Sequence, residues 1–100
     1  MIYSIKKIHK ATPFKLLLEF DAGEVKEIDL EKHLLEWAEG KQSIFEQLLD
    51  PKYFTSVRLN TELETVYWEN GVDFSPNSLH MWAVEQEQER NEEVSTNRYL

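Results

Sequence analysis

The stretch Thr65–Leu79, TVYWENGVDFSPNSL, constrains the fold most strongly, because it must connect a strand to a helix. Asn70-Gly71 is typical of a tight turn, since both residues adopt positive φ at low cost. Trp68 and Phe74 flank this turn as large aromatic anchors. Ser75-Pro76 predicts a helix start, because serine accepts a bond from an orphan amide and proline has no amide to orphan. We therefore interpret this stretch as a structural joint without catalytic chemistry.

Three strands are predicted before this joint. Ile2–Ile8 alternates loosely, whereas Phe14–Phe20 alternates clearly and places its apolar residues on one face. Asp21–Glu24 predicts a hairpin turn in which Gly23 takes positive φ. Glu24–Ile28 should then pair back antiparallel, because so short a connection cannot form a crossover.

Helix signals follow the predicted hairpin. Asp29 is expected to cap a helix that Gly40 ends, since glycine readily adopts the left-handed conformation after a helix. Ser43–Glu46 has the pattern of a capping box and predicts a second short helix. Pro76–Arg90 is the predicted C-terminal helix, with an apolar stripe that fades after Val84.

These segments together predict the fold class. Ser56–Asn60 and Glu64–Trp68 add two short strands, so the element order is β-β-β-α-α-β-β-α. This order predicts an α+β domain with a mainly antiparallel sheet of about five strands, two short inserted helices and a C-terminal helix. One domain is expected over residues 1–90, and residues 91–100 are expected to form a flexible acidic and polar tail.

Charge and composition exclude several classes of protein. The net charge is −8, and the first 18 residues carry four lysines without an acid, so the remaining residues sum to −12. An acidic chain is repelled by phosphates, so nucleic acid is not expected as a partner; the lysines are read as protection of a strand edge. The longest apolar run is Leu16–Leu18, far too short for a membrane span, and a cytoplasmic protein without a membrane partner is expected. The absence of cysteine excludes disulfides and thiolate chemistry.

No catalytic, cofactor-binding or metal-binding residues are predicted. His9, His33 and His80 lack metal-ligand spacing and are expected on the surface. Capping is favoured over acid–base catalysis for Asp29 and Asp73, because no nucleophile accompanies either of them.

Three segments carry a family resemblance: FDAGEVKEIDL (Phe20–Leu30), DPKYFTSVRL (Asp50–Leu59) and WENGVDFSPNSL (Trp68–Leu79). Together they resemble the domain-of-unknown-function family 2442 of small bacterial proteins. The resemblance implies a compact α+β fold and no established activity. Members of the family are often encoded beside another small protein, which implies a paired, antitoxin-like role. Some relatives add a C-terminal helix-turn-helix, for which Met81–Leu100 is too short and too acidic.

Two functional classes stay open. The first is a non-enzymatic protein-interaction domain, antitoxin-like or accessory, with a protein partner encoded nearby or a second copy of the chain. The second is a small-molecule-binding domain or enzyme with an unrecognised site. Met81, Trp82 and Glu85 are the candidate partner-binding residues, because one helical stripe cannot bury both Met81 and Trp82.

Overall fold

The computed structural model describes residues 2–39 and 43–98, with side chains as far as residue 91. The strands are β1 (Ile5–Thr12), β2 (Lys15–Phe20), β3 (Val25–Asp29), β4 (Arg58–Asn60), β5 (Thr65–Tyr67) and β6 (Asp73–Phe74). The helices are α1 (Glu31–Trp37), α2 (Pro51–Phe54) and α3 (Pro76–Arg98), with 3-10 segments at Asp21–Gly23 and Ile44–Leu49.

The α+β class is confirmed, but the strands form two sheets. Each sheet has three antiparallel strands, in the orders β1-β2-β3 and β4-β5-β6. β1 approaches β4, and the backbone N–H of Ile5 donates to the carbonyl of Glu64 at 2.9 Å without a regular ladder between the sheets. The prediction of about five strands in one sheet missed β6, which at two residues is too short to show alternation.

The core lies where the two sheets and the helices meet. The alternation of β2 is confirmed, because Leu16, Leu18 and Phe20 are buried on one face. Their neighbours are apolar residues from the other elements, which exclude water from a single cluster. The other buried apolar residues are Ile5, Ile28, Leu30, Leu34, Leu48, Phe54, Val66, Trp68, Val72, Phe74, Leu79 and Ala83.

Side-chain caps fix several helix starts. Asp29 Oδ1 accepts the backbone N–H of Glu31 at 3.0 Å, although Asp29 itself ends β3. Ser43 Oγ caps the next segment by accepting the N–H of Phe45 at 3.2 Å, rather than that of Glu46 as in the predicted capping box, and the segment is a 3-10 helix rather than an α-helix. Gly40, the predicted helix end, lies outside the described residues.

The C-terminal helix is longer than predicted. It starts at Pro76, where Ser75 Oγ accepts the N–H of Ser78 at 3.1 Å, and it runs to Arg98 rather than Arg90. The residues beyond Val84 include many Glu and Gln, which favour helix even without a buried stripe. Among the described residues, no helix is long and apolar enough to cross a membrane.

The predicted joint around Asn70-Gly71 is a tight turn. Gly71 has φ +97°, and its N–H donates to the carbonyl of Trp68 at 3.0 Å. Asn70 Oδ1 accepts the N–H of Val72 at 3.1 Å, while its Nδ2 donates to the 3-10 segment. Asp73 is exposed, and no described residue bonds to its carboxylate, contrary to the predicted capping role. Asn70 and Ser75 already serve the amides that Asp73 was expected to bind.

Lys6 and Glu64 form an ion pair beside the junction of the two sheets. Lys6 Nζ lies 2.7 Å from Glu64 Oε2. The hydrogen bond from Lys6 holds the pKa of Glu64 below its ordinary 4.5, and the same bond raises the pKa of Lys6 above its ordinary 10.5. Both groups are solvent-exposed, so the contribution of the pair to stability is small.

This ion pair predicts a pH-dependent effect of Lys6→Ala. Because folding lowers the pKa of Glu64, the stabilisation is full above pH 4.5 and is lost as the pH falls through the lower folded value. At the alkaline end it is lost as the pH rises through the raised pKa of Lys6. Urea titrations should therefore show Lys6→Ala less stable than wild type at neutral pH, with the difference vanishing in acid. Lys7→Ala, at an exposed lysine without an ion pair among the described residues, is the control. A Lys6→Ala deficit that persists unchanged in acid would contradict the assignment.

Candidate protein-interaction surface

Five aromatic rings form a connected group, here called the aromatic cluster, centred on Trp37. The centroid of the Trp37 ring lies 5.2 Å from both His33 and Phe45, 5.5 Å from Phe74 and 5.6 Å from Trp82. His33 and Trp82 close the group at 4.6 Å. Separations of this size are typical of favourable aromatic pairs.

Four elements build the aromatic cluster. α1 contributes His33 and Trp37, which share a face because they are four residues apart. The 3-10 segment, β6 and α3 contribute Phe45, Phe74 and Trp82. Phe74 is buried and joins the core, whereas the other four members are half-buried. The aromatic cluster therefore extends from the core to the protein surface.

Exposed carboxylates flank the aromatic cluster along the chain. Glu36 precedes Trp37, Glu46 follows Phe45, and Glu85 lies three residues after Trp82 on α3. Within the described part of the chain, none of these three carboxylates has an ion-pair partner. The surface thus combines an apolar aromatic centre with a net negative charge, since the exposed Lys32 beside His33 offsets only one of the three carboxylates. Such a surface is suited to bind an apolar side chain of another molecule that has basic residues beside it.

The three predicted partner-binding residues all lie on α3, and one of them is part of the aromatic cluster. Trp82 belongs to it, Met81 is 51% exposed, and Glu85 is exposed on the same helix. Met81 and Trp82 thus lie on different faces of α3, as their adjacent positions require. Sequence reasoning did not select His33 and Trp37 for this surface. Their spacing on one face of α1 was the available signal, but His33 was considered only as a surface histidine.

The remaining predicted motif residues have structural roles away from this surface. Gly23 takes φ +78° in the turn between β2 and β3, next to Ala22 at φ +61°. Trp68 Nε1 donates to the carbonyl of Phe54 at 2.9 Å, which satisfies the indole within the core. Trp68, Asn70 and Gly71 therefore act together in the joint, and Gly23 and Asp29 serve separate turns.

His80 departs from the expectation that the histidines are on the surface. It is only 8% exposed, because its ring stacks on Tyr3 at 3.8 Å and meets the edge of Phe20 at 5.1 Å. His80 Nε2 lies 2.6 Å from Glu24 Oε1, so its polar atom is paired. A cavity of about 340 Å³ adjoins this pair at the N-terminal segment. His80 thus ties α3 to the turn between β2 and β3.

The described residues contain no group of three or more His, Asp or Glu side chains placed to hold a metal ion. Two of the histidines each pair with a single carboxylate. His9 Nε2 lies 2.8 Å from Glu19 Oε1, and His80 Nε2 is paired with Glu24 Oε1. These arrangements hold neighbouring elements together.

A solved structure has the same fold. The crystal structure of the "putative DNA binding protein" of Nitrosomonas europaea ATCC 19718 matches with a TM-score of 0.72 and 23% sequence identity. The match covers 88% of this chain but 53% of the other, so this chain spans about half the length of that protein. No curated protein sequence matches the chain significantly.

The exclusion of nucleic acid as a partner requires correction. A protein of the same fold is named for DNA binding, so acidic composition alone does not exclude this class of partner. The sequence argument assigned the lysines of the first 18 residues to protection of a strand edge and then relied on the acidic net charge. A total of −8 does not describe a local region such as β1, where Lys7 and Lys10 are exposed.

The protein-family comparison agrees with the resemblance seen in the sequence. The family model described as a protein of unknown function, DUF2442, matches residues 5–85. This range includes all six strands, the inserted helices and the first part of α3. The chain therefore belongs to the DUF2442 family.

Proposed function

We propose that this protein is a non-enzymatic interaction domain, accessory or antitoxin-like in role, that binds a basic protein partner. The binding surface is the aromatic cluster together with the exposed face of α3 around Met81 and Glu85. The family itself carries no assigned activity, so the proposal rests on the chemistry of this surface.

The half-exposed pair Trp37 and Trp82 is the observation that carries the proposal. Tryptophan is enriched among the residues that dominate binding energies, because a large rigid ring loses little conformational entropy on contact. Here the rings are held in place from below by Phe74, so the surface is preorganised. The flanking carboxylates would attract a basic partner and exclude acidic ones.

The alternative, a small-molecule site at the turn after Trp68, has weaker support. Trp68 is 1% exposed and its indole N–H is already bonded to Phe54, so its ring is unavailable for stacking on a ligand. Asn70 is likewise committed to the turn and to the 3-10 segment. The indole N–H of Trp68 and the side-chain amide of Asn70 thus serve the fold.

Substitutions on α3 test the proposal with a partner captured from the native host and then purified. We expect Trp82→Ala to weaken its binding by about 2 kcal/mol, roughly thirtyfold in Kd, as for a central interface tryptophan. Met81→Glu should also weaken it, because an apolar contact would be replaced by a carboxylate that must lose its hydration in the interface. Calorimetric titration of each purified variant measures the effect. Binding of the wild type should weaken as salt rises, because the acidic rim is screened.

Leu63→Glu is the matched control for Met81→Glu, since Leu63 is also exposed and apolar but lies in the loop between β4 and β5. Circular dichroism of each variant separates lost binding from lost fold. A partner that binds Met81→Glu and Trp82→Ala as tightly as wild type would remove this surface from consideration. Turnover of a small metabolite by the purified chain would refute the non-enzymatic role.

A further inference from the structure

A groove of about 510 Å³ lies between α1 and α3, outside the aromatic cluster. Its floor is closed by Gln86, whose side-chain amide donates to the carbonyl of Asp29 and accepts the N–H of Asp29, both at 2.9 Å. The backbone N–H and carbonyl of Asp29 at the edge of β3 are therefore both hydrogen-bonded. The side chains of the groove walls remain available for contact with another surface. The walls are formed by Glu31, Lys32 and Leu35 of α1 and by Glu89 and Arg90 of α3.

Each wall of the groove carries one acidic and one basic side chain. Glu31 and Lys32 are exposed on α1, and Glu89 and Arg90 are exposed on α3. Across the residues that the structure describes, none of these four side chains has an ion-pair partner. Leu35, 53% exposed, adds an apolar contact between them. The four wall charges sum to zero, and the Asp29 carboxylate, which accepts the N–H of Glu31, brings the whole lining to −1, against −8 for the whole chain.

We propose that this groove is a two-fold interface between two copies of the chain. A two-fold interface joins one patch to itself, so the patch must carry both signs of charge. Lys32 would then face Glu89 of the second copy, and Arg90 would face Glu31 of the second copy, each contact occurring twice. Leu35 packs against its own equivalent near the axis. Because the lining carries only −1 of the chain's −8, two acidic chains repel each other less at this face than at the rest of the surface.

The charges of the groove walls favour a second copy of the chain over a basic or an acidic protein. A basic protein would meet Lys32 and Arg90, and an acidic protein would meet Glu31 and Glu89, so either would oppose two like charges. A second copy pairs all four. The inference is independent of the proposed function, since no member of the aromatic cluster belongs to the groove walls.

Charge exchange across the groove tests the interface by sedimentation equilibrium of the full chain at physiological salt. Wild type should show a monomer–dimer equilibrium. Lys32→Glu alone and Glu89→Lys alone should each raise the dimer Kd at least about tenfold, because each creates two like-charge contacts per dimer. An equimolar mixture of Lys32→Glu and Glu89→Lys should dimerise again, since both contacts then join opposite charges. The double variant Lys32→Glu/Glu89→Lys should self-associate for the same reason.

Lys52→Glu and Glu62→Lys are the matched controls, because each reverses an exposed charge outside the groove. Both should leave the dimer Kd unchanged. The rescue by mixing also guards against misfolding, because misfolded single variants would not recover each other. A wild type that stays monomeric at all accessible concentrations would overturn the proposal. So would a dimer that is indifferent to Lys32→Glu and Glu89→Lys, or single variants that weaken it without recovery in the mixture or the double variant.

Discussion

Replacing Trp68 with alanine is expected to lower the free energy of unfolding by about 3–5 kcal/mol. Trp68 is fully buried and packs on Phe54 at 5.5 Å and on Phe74 at 5.6 Å between ring centroids. Alanine would leave a cavity and would also leave the carbonyl of Phe54 without its donor. Since small domains are stable by only about 5–15 kcal/mol, this is a large fraction of the total. Urea denaturation followed by circular dichroism measures the change.

Trp82→Ala provides a matched comparison for Trp68→Ala. It removes the same side chain from a half-buried position, so it should lower the free energy of unfolding less. The two variants should therefore separate the two roles: Trp68→Ala affects stability, and Trp82→Ala affects chiefly partner binding. Equal urea midpoints for the two variants would contradict the distinction between core and surface tryptophans.

The second large effect is expected at Gly71, where valine should cost about 1–3 kcal/mol of stability. The cause is conformational, because Gly71 has φ +97° and a β-branched residue is strained there. Apart from its two chain neighbours, a Cβ atom at this position would meet no atom within 4 Å, so steric overlap with residues elsewhere in the fold does not contribute. Thermal and urea unfolding of the purified variant measure the loss.

Gly71→Ala and Gly23→Val are the comparison variants for the stability loss of Gly71→Val. Alanine lacks the branched Cβ, so it should be destabilising by less than valine at the same position. Gly23 also has positive φ, +78°, and open space at its Cβ position, so valine there should show a strain cost of the same kind. A Gly71→Val protein that unfolds like wild type would show that the turn can adopt a different backbone conformation without loss.

The proposed interaction surface was only partly accessible to sequence reasoning. Met81 and Trp82 were selected because neighbours on a helix point to different faces, which is a local property of the chain. Trp37 was not selected, and in the structure it contacts both the buried Phe74 and the half-buried Trp82. Whether a stripe residue is covered depends on which elements pack over it, and this is decided by the tertiary structure.

The sequence by itself determined the local features. The turn at Asn70-Gly71, the helix start at Ser75-Pro76 and the alternation of Phe14–Phe20 follow from backbone preferences and side-chain periodicity within a few residues. The family was also readable, because short segments of fixed spacing carry it.

Only the tertiary structure decided how distant segments meet. Two sheets form instead of one, because β1 reaches the second sheet by an isolated hydrogen bond near Glu64 and not by a ladder. His80 is buried because Tyr3 and Glu24, 77 and 56 residues away in the chain, supply a ring to stack on and a carboxylate to bind. Such contacts depend on the relative placement of whole elements, and no periodicity within one segment records that placement.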